Sequence, residues 1–264
     1  MTARPDPPAP PRVVVNPRFA PEQVMPPAGA VVAEFHGSLP GYRPTPLHRL
    51  DALARSLGVG GVLVKDESDR LGLPAFKILG ASWAVEQTLR TAPGTRTLVA
   101  ASAGNHGRAV ARAATQRSLA CRIYLPAVTS QTRADLVAAE GAQVVRVAGE
   151  AVTVPTPGTS MAGLDCATPS AVAWPTLRQG LAGTIAVSDA DAHRSMRELA
   201  ELGLTIGDCG AASLAALRAL TEDAACAALR AAIGLGAATN VLCLATEGAS
   251  DPAAYAQALA DPRM

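Results

Sequence analysis

Aromatic side chains are nearly missing from this chain: they make up 3% of its 264 residues. That scarcity argues against a base-stacking nucleic-acid surface and against a membrane-interface belt. Charge of one sign is not concentrated anywhere either. The net charge is +1, with acids and bases spread along the sequence, so there is no basic patch for a phosphate backbone. Cysteine pairing is absent as well. Cys121, Cys166, Cys209, Cys226 and Cys243 lie far apart with no C-x-x-C, the pattern of reduced thiols and not of a disulfide frame or zinc site. No apolar run reaches membrane-spanning length, and the proline-rich start lacks the charged-then-apolar layout of a signal peptide. Neither G-x-G-x-x-G nor Walker spacing occurs, which sets a nucleotide-binding protein aside. These absences predict a cytoplasmic protein without nucleic acid, membrane or metal, whose partners are small molecules and a second copy in a homodimer.

Hydrophobic residues make up 49% of the chain, enough for a sizeable core in one large α/β domain or two modest ones. Residues 1–30 are crowded with proline and carry no periodic pattern, which predicts a disordered arm. Phe35 to Leu47 reads as a loop, and Leu47 to Leu57 has helical spacing that stops at Gly58. Strands at 61–65, 97–101, 121–125 and 143–147 then alternate with helices at 74–90, 108–117 and 129–140. That alternation predicts parallel strands joined by crossover helices. The pattern weakens from 149 to 183, with one helix around 170–178. A strand at 184–188, helices at 190–202 and 207–220, and a strand at 240–245 complete the series.

What is present is concentrated in two short stretches. Lys77 sits in Pro74-Ala75-Phe76-Lys77-Ile78-Leu79-Gly80-Ala81, at the opening of a helix. An amine in apolar surroundings has its charged form disfavoured, so it becomes a nucleophile able to form a Schiff base. Downstream, Ser102-Ala103-Gly104-Asn105-His106-Gly107 opens another helix and offers backbone N–H groups to an anion. Pyridoxal-phosphate chemistry on an amino acid requires that pair of features. Plainer readings stand beside this one. Lys77 also fits a snorkelling stem, Gly104-Asn105 an ordinary helix-entry turn, and Thr246-Glu247-Gly248 a simple strand end. Cys209 lies at a helix start, where a thiol pKa can fall.

Six stretches carry a resemblance: Phe35 to Leu47, Val64-Lys65-Asp66-Glu67-Ser68, Ala75-Phe76-Lys77, Gly104-Asn105-His106-Gly107, Met161-Ala162-Gly163-Leu164 and Thr246-Glu247-Gly248. Together they resemble the fold-type II pyridoxal-phosphate enzymes, the family of serine and threonine dehydratases and the β subunit of tryptophan synthase. Within it, they are most similar to the diaminopropionate ammonia-lyase branch. The resemblance implies an α/β fold of two parallel-sheet domains. Residues 31–90 plus 151–264 would form a large cofactor-binding domain, and 91–150 a small domain carrying the asparagine loop. It implies pyridoxal 5'-phosphate as cofactor. The implied reaction is β-elimination from a small amino acid, 2,3-diaminopropionate or serine/threonine, to a 2-oxo acid and ammonia. By position, Lys77 would carry the cofactor and move the proton at the substrate's α-carbon, with Phe76 beside it. Asn105 would hydrogen-bond the cofactor's ring oxygen, and Thr246 would face its pyridine nitrogen. Ser102, Gly104, Asn105, His106 and Gly107 would hold the substrate carboxylate.

The chain departs from this family twice. Ala103 stands where ammonia-lyases of the branch carry an aspartate that works on the D-isomer. Between Val147 and Thr153 a long stretch of the relatives is missing, and with it the glycine-rich loop that cradles the cofactor phosphate. About six strands are too few for two full sheets, so the large domain is expected to be incomplete. An alternative reading therefore stays open: a catalytically impaired remnant acting as a regulatory or interaction subunit.

Overall fold

The computed structural model describes residues 12–20, 22, 29–147, 158–165 and 170–260. Among them the chain runs β1 (Val13–Val15), α1 (Ala30–Gly37), β2 (Leu47–Arg49), α2 (Asp51–Ser56), β3 (Gly61–Asp66), α3 (Lys77–Thr91), β4 (Thr97–Ala101), α4 (Asn105–Gln116) and β5 (Ala120–Pro126). It continues through α5 (Gln131–Ala138), β6 (Gln143–Val147), α6 (Trp174–Gly180), β7 (Gly183–Ile185), α7 (Asp189–Glu201), α8 (Asp208–Glu222), α9 (Ala227–Ile233), β8 (Asn240–Ala245) and α10 (Pro252–Ala260). No helix among these residues is long and apolar enough to cross a membrane.

Period-two alternation builds the sheets. Val62 and Val64 of β3 and Cys243 and Ala245 of β8 turn the same way and are buried. The two strands pair in parallel, with Val64 beside Cys243, and β2 adds an antiparallel edge to β3. Leu53, Met196, Leu199, Ile206 and Leu214, from α2, α7 and α8 and the α7–α8 link, close over that face. The opposite face is open: Leu242 and Leu244 are 55% and 52% exposed. Parallel strands are ordinarily covered on both faces, so this unit is incomplete, as the strand count predicts. The second sheet is parallel in the order β4-β5-β6. Ile123, Leu125 and Val137 lie at its core with Ala111 and Ala114 of α4. Ile78, Ala81 and Val85 of α3 pack on Ala109 and Ala113 of α4, so the helix that begins with Lys77 lies against the helix that begins with Asn105. Ile78 is fully buried, and a side chain of that kind contributes about 1.5–3 kcal/mol.

Several sequence expectations need correction. Within the stretch expected to be a disordered arm, Val13–Val15 pairs antiparallel with Gly183–Ile185. In the same stretch Asn16 donates to the Arg178 and Leu181 carbonyls and Ala30 begins α1, while residues 1–11, 21 and 23–28 lie outside the described residues. The strand expected at 184–188 is Gly183–Ile185, and it pairs with β1 in a sheet of two strands. Phe35 and His36 belong to α1, tied to α3 by His36 Nε2 and the Leu79 carbonyl at 2.9 Å. Leu47–Arg49 is a strand, and the helix expected from Leu47 begins at Asp51.

The turn between β3 and α3 is set by a buried ion pair. Arg70 meets Glu67 through two hydrogen bonds, Nε to Oε2 at 2.7 Å and Nη2 to Oε1 at 2.5 Å. It also donates to the Arg43 carbonyl and to the Thr45 hydroxyl, each at 3.0 Å, and the Thr45 hydroxyl donates to Glu67 at 2.6 Å. Burial works to raise the Glu67 carboxyl, but the hydrogen bonds from Arg70 and Thr45 outweigh it and hold the pKa below its ordinary value. Removing Arg70 leaves a buried carboxylate unpaired. We expect Arg70→Ala to cost about 3–5 kcal/mol at neutral pH, measured by urea unfolding. A depressed carboxyl pKa stabilises above its unfolded value and loses that stabilisation as pH falls through the folded one. The difference between variant and wild type should therefore shrink in acid. A constant difference would contradict this account.

Candidate active site

β3 and β8 end level with each other, Asp66 beside Ala245, and the segments that follow them pair across the gap. The Phe76 N–H donates to the Thr246 carbonyl at 3.3 Å, and the Gly248 N–H donates to the Pro74 carbonyl at 3.0 Å. Ala75 and Glu247 form an antiparallel bridge between them. Gly248 is needed there, because a Cβ would lie 2.9 Å from Ser68 Cβ and 3.0 Å from its carbonyl. Lys77, the first residue of α3, is thereby delivered next to Glu247. The turn before α4 is equally tight. A Cβ on Gly107 would lie 2.2 Å from the Ser102 carbonyl, so only glycine lets Ser102-Ala103-Gly104 fold back over the helix start.

Between these elements lies a cavity of about 640 Å³, within the range of small-molecule sites. Lys77, Ser102, Ala103, Gly104, Asn105 and His106 line it, so the lysine and most of the asparagine loop come together. Three expected site residues stand behind this lining. Gly107 is buried beneath the turn, and Thr246 lends its carbonyl to Phe76. Phe76 is exposed, with its ring centroid 4.9 Å from Lys77 Nζ.

The opposite wall was not legible as a set. Asp208, Cys209 and Glu247 offer ligand atoms that all lie within 4.8 Å of one another. The Asn105 amide donates to Glu247 Oε2 at 2.6 Å and to Ser250 Oγ at 2.8 Å, across 142 and 145 residues. Burial raises the Glu247 carboxyl and neighbouring Asp208 adds to the rise, while the Cys209 thiol and the Lys77 charge oppose it. The thiol of Cys209 is pushed up by burial, then by Glu247 and Asp208. Its place at a helix start is overridden, and the lowered thiol pKa suggested by sequence is reversed. His106 has its pKa lowered, first by the desolvation of its surroundings and then by Lys77, so its imidazole is neutral at pH 7. On the same wall Ser160 Oγ lies 3.1 Å from His193 Nε2, and Asp189 accepts from the Thr159 hydroxyl and the Ser160 N–H. A lone acid after a strand and a histidine inside a helix carry no local signal that they share a cavity.

These residues fit the aldehyde-and-ring end of pyridoxal phosphate: a primary amine, a neutral amide and a neutral imidazole line one space. The phosphate end has less. The gap expected between Val147 and Thr153, where relatives carry the glycine-rich loop, falls outside the described residues. The starts of α3, α4 and α8 line the cavity; the first carries the Lys77 amine and the last the Asp208 carboxylate.

Comparison with known proteins agrees with this geometry. Residues 38–153 and 146–246 match the family described as pyridoxal-phosphate dependent enzyme. Diaminopropionate ammonia-lyase of Escherichia coli strain K12 is 41% identical over 129 residues, 42% of this chain and 32% of the relative. The enzyme of Salmonella typhimurium is 39% identical over 136 residues, 44% of this chain and 34% of the relative. The chain thus spans about a third of the length of the curated relatives it matches. The crystal structure of the Escherichia coli ammonia-lyase in complex with an aminoacrylate-PLP azomethine reaction intermediate superposes with a TM-score of 0.81. That match has 25% identity and covers 94% of this chain and 96% of that one. With the family match spanning most of its length, this chain belongs to the pyridoxal-phosphate dependent enzymes, and its cofactor is pyridoxal 5'-phosphate.

Proposed function

We propose that the protein is a lyase that eliminates the β-substituent of a small L-amino acid, diaminopropionate or serine/threonine, to give a 2-oxo acid and ammonia. The observation that carries this reading is the convergence of Lys77 and Asn105 on one cavity. The same convergence favours an enzyme over a regulatory remnant. When bound, the cofactor supplies the electron sink for bond breaking at the substrate's α-carbon. Lys77 would hold the cofactor through its amine and would move the proton at the substrate's α-carbon. Ser102, Gly104 and His106 hold the substrate carboxylate at the start of α4, where N–H groups and the helix dipole favour an anion. Neutral His106 donates a hydrogen bond there without adding a second cation beside Lys77. The role expected of Thr246 at the pyridine nitrogen is not taken up in this proposal, because Thr246 follows β8 and stands behind the cavity lining.

Borohydride reduction in the presence of cofactor, followed by peptide mapping, should place the label on Lys77. Lys65, the other lysine of the chain, has its Nζ on the Thr45 carbonyl at 2.6 Å, and a label there would overturn the assignment. Lys77→Ala should abolish turnover and leave the fold in place, since alanine suits a helix.

Ala103 lines the cavity where the branch carries its aspartate. A general acid–base group is worth on the order of 10²–10⁴-fold. D-diaminopropionate should therefore turn over more slowly than the L-isomer by about that factor, and Ala103→Asp should narrow the gap. Equal rates on the two isomers in the unmodified protein would refute it.

Phosphate anchoring should be weak. Each hydrogen bond to a charged group is worth roughly 1.5–3 kcal/mol, so two or three lost from a cradle cost about 5 kcal/mol, or ~10³–10⁴ in Kd. We expect pyridoxal to bind almost as well as its phosphate ester, read by absorbance titration. A strong preference for the ester would sink this expectation.

A further inference from the structure

Asn105 is the side chain that the proposed function needs at the cofactor ring, and its amide is already engaged. A carboxamide has two N–H hydrogens and one acceptor oxygen. Both hydrogens of Asn105 are committed, one to Glu247 Oε2 at 2.6 Å and the other to Ser250 Oγ at 2.8 Å. The Ser250 hydroxyl donates in turn toward the same carboxylate oxygen at 3.4 Å. Held this way, Asn105 meets an occupant of the cavity as an acceptor alone. The acceptors themselves sit on a fixed backbone. Glu247 bridges to Ala75, and its carbonyl accepts the Gly207 N–H at 3.1 Å. An incoming ring oxygen therefore competes with two standing acceptors for the two amide hydrogens.

We propose that Glu247 and Ser250 form a latch on Asn105, joining the start of α4 to the segment after β8, and that this latch must release one amide N–H before Asn105 can donate to the cofactor. The inference rests on the functional reading above. Glu247 is a positioning residue, acting through Asn105. It links cofactor entry to the junction of the two sheets, because Asn105 follows β4 of one sheet while Glu247 and Ser250 follow β8 of the other.

Titration of the full chain with two probes tests the latch. One probe is pyridoxal phosphate. The other is 4'-deoxypyridoxine phosphate, which keeps the ring hydroxyl but lacks the aldehyde that Lys77 requires. Ser250→Ala removes one acceptor, and Glu247→Gln replaces the carboxyl by a neutral amide of the same size, whose single oxygen is a weaker acceptor than a carboxylate. Both should tighten binding of both probes, roughly 3- to 10-fold for Ser250→Ala as the value of one hydrogen bond, and about as much or more for Glu247→Gln. In an Asn105→Ala background neither substitution should change either Kd. If Glu247→Gln fails to fold, Ser250→Ala alone and combined with Asn105→Ala still decide. Unchanged or weaker binding in folded variants, with the unmodified chain binding normally, overturns the latch and leaves the functional reading intact. No binding of pyridoxal phosphate by any variant overturns both, since an opened latch should bind best.

Discussion

Everything chemical in this molecule depends on one short pairing, that of Pro74–Phe76 with Thr246–Gly248. Two backbone hydrogen bonds and an antiparallel bridge hold these segments together. The pairing sits at the ends of two parallel strands, where α/β folds place their sites because the chain must leave the sheet there. Its consequence is mechanical. Lys77 is the residue immediately after the paired segment, so the position of the amine follows from backbone geometry and needs no side-chain partner of its own. The buried Arg70–Glu67 pair reinforces this from behind, by fixing the turn that brings the chain from β3 to Pro74. Gly248 makes the approach possible by carrying no side chain against Ser68.

The charges around the cavity are not those of a simple anion site. Asp208 and Glu247 stand on one wall and Lys77 on another, with the Cys209 thiol kept protonated between the acids. Glu247 is raised by burial and by Asp208, and relieved by its thiol neighbour and by Lys77. A cofactor phosphate carries close to two negative charges, so in this setting its attraction must come from N–H groups at helix starts and from the covalent bond at Lys77. A substrate α-carboxylate fares better. It is proposed to meet the start of α4, where backbone N–H groups face the cavity and the Asn105 amide stands on Glu247.

How much of this was legible in the sequence varies with the distance over which the information acts. The strands at 97–101, 143–147 and 240–245 could be bounded from β-branched runs and turn residues, because those signals are local. β1 could not. Val13-Val14-Val15 is short and follows a proline-rich stretch, and it becomes a strand by meeting Gly183–Ile185. β2 was hidden for a different reason: three residues of strand run straight into α2, and the apolar spacing of the whole segment looks helical. Lys77 and the asparagine loop stood out because glycine, asparagine and a lysine in apolar company are unusual compositions. Glu247 had no such mark. It acquires its part only when folding brings it beside Asn105, 142 residues earlier.

The open sheet face and the site are held by separate contacts. The open sheet face carries Leu242 and Leu244, pointing away from the core that α2, α7 and α8 close. The cavity is walled by residues of the other kind: the first residues of α3, α4 and α8, and the turn after β8. Each of these is held by contacts that do not involve the open face. α3 packs on α4 through Ile78, Ala81, Ala109 and Ala113, and α8 packs in the core through Leu214. An open face on one side of the β3–β8 sheet therefore lowers the stability of that sheet more than it displaces the reacting groups. The amine, the amide and the helix starts keep their relation because they are fixed by the ends of strands, whichever elements lie over the faces between.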